Sequence, residues 1–116
     1  MITRRNINIP IFDFKLTIII FDYWDEVRHL FDNGPEPRAI TKANGLGGAL
    51  VAVNSKRGSS IVHEAEHIKN FIWNWIGYEP MNDNDEVDAY VITYIYNKIV
   101  DVFYKHNDNK INIARG

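Results

Sequence analysis

His63-Glu64-Ala65-Glu66-His67 is the stretch on which the reading of this chain turns. It lies inside residues 60–76, where Ile61, Ala65, Ile68, Ile72, Trp75 and Ile76 recur at helical spacing. Ser59 or Ser60 can cap this helix and Gly77 can stop it. Residues four apart share one helix face, so His63 and His67 stand one turn apart on a polar seam continued by Asn70 and Asn74. Two imidazoles so placed can both reach a single zinc ion, and Glu64 then stands beside the metal as general base.

A catalytic zinc site usually takes three protein ligands and keeps one position open. After a short link at 77–83 containing Pro80, a last helix starts at Asp83 or Asn84 and runs to about Tyr104. Val87, Val91, Tyr94, Ile95, Ile99, Val100 and Phe103 give it apolar surface on more than one side. Glu86, in its first turn, is the leading third ligand, with Asp83, Asp85 and Asp88 as rivals.

Upstream, residues 7–21 read as one long strand with a bulge or turn near Asp13, divided by Pro10. Asp22 can cap a short helix over 23–31, in which Trp24, Val27, Leu30 and Phe31 recur. Residues 38–41 and 48–53 read as strands joined at the turn signal Asn44-Gly45. Gly45, Gly47 and Gly48 belong to that turn rather than to a phosphate loop, because no Lys-Ser/Thr pair follows them. The strand 48–53 is the expected edge of a cleft, where an extended peptide would add.

The 116 residues fit one domain, 1–116, with flexible tails expected at about 1–6 and 106–116. Hydrophobic residues make up 46%, enough for a core. Cysteine is absent, which excludes disulfides and a thiolate zinc site. With 13 basic and 15 acidic residues and no basic stripe, nucleic acid is not an expected partner. No secretory leader or membrane-length apolar run is read, so a cytoplasmic protein is expected. His29 and His106 read as surface histidines, and Trp73 lies off the apolar stripe.

The motif His63-Glu64-x-x-His67, followed by Glu86, Ala89, Tyr90 and Tyr94, resembles the minimal gluzincins. These are small zinc-peptidase-like proteins, many of them phage-encoded. The upstream order of strand, helix and hairpin is also similar, so the resemblance spans residues 9–104. It implies His63, His67 and Glu86 as zinc ligands, one zinc per chain, and Glu64 as catalytic base. Larger thermolysin-like enzymes carry an aspartate four residues after the third ligand, where this chain has Tyr90. Tyr90 is a candidate donor to a developing oxyanion.

The expectation is therefore an α+β, zincin-like fold. A mostly antiparallel sheet packs with a short helix, the motif helix and a C-terminal glutamate-bearing helix. The expected function is zinc-dependent hydrolysis of a peptide or protein substrate. The alternative is a zinc-binding structural or interaction protein with little proteolytic activity, in a homo-oligomer or a phage assembly, placed in the host cytosol or the virion.

Overall fold

The structure, a computed structural model, describes residues 1–32, 34–79 and 85–115. The stretch expected as one long strand is a hairpin of β1 (Ile2–Ile9) and β2 (Phe14–Phe21), paired antiparallel from Ile2↔Phe21 to Ile9↔Phe14. Pro10 cannot donate to a ladder, and the reversal is completed by left-handed backbone at Ile11 (φ 74°) and Asp13 (φ 48°). Ile2 to Asn6, expected in a tail, thus belong to β1.

Beyond β2 the expected short helix is two turns of 3-10 helix, Trp24–Glu26 and Arg28–Leu30. Glu26 Oε1 ties the first turn down by accepting from the Tyr23 N–H (2.9 Å) and the Asp22 N–H (3.2 Å). The chain then forms β3 (Ala39–Ala43) and turns back into β4 (Gly48–Asn54). Asn44 builds that turn: its Oδ1 accepts from the backbone N–H of Leu46 (2.8 Å) and Gly48 (3.0 Å).

The strand order is β1-β2-β4-β3. β4 runs parallel to β2 at the centre, and an antiparallel pair flanks it on each side. The sheet is therefore mixed, with two antiparallel pairings and one parallel pairing. A central strand covered on both faces needs a continuous apolar run, which Ile18-Ile19-Ile20-Phe21 supplies. Ile18, Ile20, Val51 and Val53 face the helices, whereas Ile19, Phe21 and Ala52 face Trp24, Val27 and Phe31 of the 3-10 segment.

α1 (Ile61–Ile76) lays Ile61, Ala65, Ile68 and Ile72 on the sheet, as its periodicity predicts. It ends where Gly77 turns left-handed (φ 71°) and the Tyr78 N–H returns to the Trp73 carbonyl at 2.9 Å. Its last turn differs from the expected stripe, because Trp73 is buried and Trp75 and Ile76 are exposed. The cause is α2 (Asp85–Arg115), which packs on the Trp73 side of α1. There Asp88 accepts from Trp73 Nε1 (2.8 Å) and Lys69 Nζ (3.4 Å).

α2 has 31 residues, which at about 1.5 Å each accounts for the 50 Å long axis of the molecule. It continues through 106–115, the segment expected to fray. Asp83 and Asn84, its expected caps, lie outside the described residues.

His106 shows why the helix continues so far. It was expected on the surface, yet it is 0% exposed. Its ring lies between Thr3 Oγ1 (2.7 Å from Nδ1) and Asp22 Oδ1 (3.0 Å from Nε2). Asp22 Oδ1 also accepts from Ser55 Oγ (2.7 Å) and Lys110 Nζ (2.9 Å). Burial pushes the Asp22 carboxyl upward, but the bonds from His106, Lys110 and Ser55 outweigh it and hold the pKa well below the usual carboxylate range. The network joins β1, the end of β2, the end of β4 and α2.

Candidate metal centre

α1 carries His63 and His67 on its exposed face, in the polar seam with Asn70 and Asn74. Their rings stand edge to face with centroids 4.6 Å apart. The two Nε2 atoms converge to 3.0 Å. Two nitrogens bound tetrahedrally to one zinc at about 2.0–2.1 Å would be roughly 3.3 Å apart. The pair is therefore within a few tenths of an ångström of chelating geometry.

Glu64 turns inward, is 5% exposed, and accepts from Thr41 Oγ1 at 2.8 Å through Oε1. The carboxylate lines a cleft of about 520 Å³ between α1 and β3, together with His63, His67 and Phe71 on the same helix and Ala39, Ile40 and Thr41 on the strand.

The strand bounding this cleft is β3, not the expected 48–53 strand. β4 is interior, hydrogen-bonded to β2 on one side and β3 on the other. Which strand became the edge depended on the parallel β2–β4 pairing, and turn signals do not encode that. The register sets what β3 offers. The Asn44 N–H bonds Gly48 O and the Asn54 N–H bonds Arg38 O, so even-numbered residues of this strand exchange bonds with β4. Ala39, Thr41 and Ala43 direct their backbone N–H and C=O to the free edge, and no backbone partner meets them among the described residues.

The remaining candidates lie elsewhere. Glu86 is exposed on the first turn of α2. Asp88 faces α1, and a residue two positions earlier is rotated by about 200° around the helix, so Glu86 is on the side away from α1. Among the described residues no three His, Cys, Asp or Glu side chains come together in a way that could hold a metal. The structure thus brings His63, Glu64 and His67 together but does not bring Glu86 to them. Among the rivals, Asp88 is held by Trp73 and Lys69, and Asp83 lies outside the described residues. Tyr90 is exposed beside an apolar groove formed with Ile9, Pro10, Ile11 and Phe12, away from the histidine cleft.

As a donor set the cleft fits zinc in part: two imidazoles converge, and among the described residues no third protein ligand stands with them. Sequence reasoning missed Thr41, Arg38 and Phe71, which line the cleft. The alternation of β3 could have put Thr41 on one face with Ala39 and Ala43, but nothing local identified that face as the one opposite Glu64.

Among the described residues no helix is long and apolar enough to cross a membrane. Comparison of the chain with family models, curated proteins and solved structures finds no match.

Proposed function

We propose that the chain is a zinc-dependent, metallopeptidase-like protein of zincin-like arrangement that acts on extended peptide segments. The observation that carries this reading is the convergence of His63 Nε2 and His67 Nε2 to 3.0 Å on the rim of a cleft whose opposite wall is an unpaired strand edge. His63 and His67 would hold the zinc, which when bound supplies a Lewis acid for a peptide carbonyl. Glu64, beside them in the sequence and turned into the cleft, takes a proton from an attacking water and returns it to the leaving amine. Thr41 fixes the carboxylate by donating to Oε1, which leaves Oε2 for the water. The outward backbone groups of Ala39, Thr41 and Ala43 align the peptide as an added strand. Glu86 and Tyr90 are not needed for these steps.

A second reading, a zinc-stapled structural or interaction protein, is favoured by two observations. Among the described residues two donors converge, and an apolar groove lies beside Tyr90 next to Ile11, which is 96% exposed.

Elemental analysis of wild type and His67→Ala, purified without added metal, tests the reading. The expected result is one zinc per wild-type chain and none in the variant. Wild type that stays metal-free after reconstitution would overturn both readings. Chelation separates them: an enzyme keeps its melting temperature and loses turnover, whereas a stapled scaffold melts earlier.

A further inference from the structure

The histidine cleft is the middle of a longer groove. At one end it shares Arg38 with a second cavity of about 350 Å³, where Lys56 and Arg57 stand with Arg38. Glu36 is the carboxylate in that cavity, and its Oε1 is occupied by Asn54 Nδ2 at 2.7 Å. Among the described residues Arg38, Lys56 and Arg57 pair with no carboxylate. Three cations against one anion in a chain of net charge −2 make this a local positive pole.

At the other end the cleft shares Phe71 with a third cavity of about 230 Å³, lined by Phe14, Ala43, Gly47 and Trp75. Trp75 is 51% exposed and lies over the hairpin turn. A Cβ at Gly47 would stand 2.8 Å from the Trp75 ring, and the backbone there is left-handed (φ 78°), so glycine is what lets the indole lie against the turn as a shelf.

β3 joins the two ends. Arg38 to Ala43 covers about 17 Å of extended chain, with the His63–His67 pair beside its middle.

We infer that this groove selects extended peptides carrying acidic residues at the Arg38–Lys56–Arg57 end and an aromatic side chain at the Phe71–Trp75 end, about four residues apart. The inference rests on the peptide-binding reading above and names its substrate class. The cations supply charge complementarity to carboxylates, the shelf supplies an aromatic stacking surface, and the strand edge supplies alternating main-chain bonds. The histidines face the residues between the two anchors.

The test uses fluorescein-labelled peptides with two aspartates, four small β-formers and one tryptophan, made in both chain directions. Binding to wild-type protein is read by anisotropy and peptide integrity by mass spectrometry. The expected result is that one direction binds about tenfold tighter than its Lys-for-Asp counterpart, as two partly exposed charge pairs would give. Arg38→Ala/Arg57→Ala should abolish that preference and keep the preference for tryptophan over alanine. Trp75→Ala should do the reverse, and N-methylation of alternate peptide amides should abolish binding. All variants are first shown to keep the wild-type melting curve. Binding indifferent to charge and to both variants would overturn the inference, as would preferential binding of a single-stranded oligonucleotide over every peptide. Zinc content is read on the same samples. Peptide selection by a zinc-free protein would leave the groove standing and sink the hydrolase reading, whereas zinc without peptide selection would do the opposite.

Discussion

Asp22→Ala should destabilise the protein by roughly 3–5 kcal/mol and lower its melting temperature by more than about 10 °C at neutral pH. The carboxylate accepts from His106, Ser55 and Lys110, and His106 is fully enclosed. Its removal leaves the enclosed His106 and Ser55 without their acceptor, and that loss exceeds the modest net worth of each bond. The effect should depend on pH in a definite direction. The folded pKa of Asp22 lies below its ordinary value of 3.8. The carboxylate therefore contributes fully above that value, and its contribution fades as pH falls below it. Thermal unfolding followed by circular dichroism at pH 7 and pH 3 checks both points. Wild type and variant should differ most at pH 7 and somewhat less at pH 3, where the folded carboxylate is still ionised and only part of its contribution has gone. Equal melting temperatures at pH 7 would mean that the network positions α2 without stabilising it.

Glu64→Gln should keep the fold and the metal and lower peptide hydrolysis by about 10²–10⁴-fold, the usual contribution of a positioned general base. Glutamine retains an Oε1 that can accept from Thr41, so the buried contact at 2.8 Å survives the exchange. What is lost is the proton-accepting oxygen. Turnover is measured on a peptide that binds the groove, with zinc quantified on the same preparation. Undiminished turnover by the zinc-loaded variant would remove Glu64 from the mechanism. Lost turnover together with lost zinc would mean that the substitution disturbed the histidines.

Local periodicity made part of this structure legible. Ile61, Ala65, Ile68 and Ile72 lie on the sheet as their spacing requires, and Trp24, Val27 and Phe31 are buried together although their helix is only two 3-10 turns. Asn44-Gly45 marks the hairpin, and Gly77 ends α1. The arrangement of elements was not legible. The parallel pairing of β2 with β4 put β3 at the edge, and it follows from contacts between distant segments. The rotation of α2 is likewise set by Asp88 against Trp73 and Lys69, pairings invisible along the chain. That rotation is why Glu86, well placed on paper, faces away. The motif itself was readable because i and i+4 on one helix is a local relation, and it came out as two nitrogens 3.0 Å apart. His106 reads as a surface residue in the sequence because its partners, Thr3 and Asp22, are 103 and 84 residues away along the chain.

Those separations also bear on when the molecule can be finished. During synthesis the sheet and α1 can assemble once residue 76 has left the ribosome, since β1 to α1 are contiguous in the chain. Thr3, Asp22 and Ser55 then lack their His106 network until that residue emerges, whereas Asp88, Ile95, Ile99 and Val102 can seat the earlier turns of α2 on α1 and the sheet before it does. A nascent chain arrested before residue 106 would carry the histidine pair on a docked α1, with the Thr3–Asp22–Ser55 end of the sheet still unclosed. Closure of that end of the molecule is thus the later event, and a single histidine in the far half of the last helix supplies it.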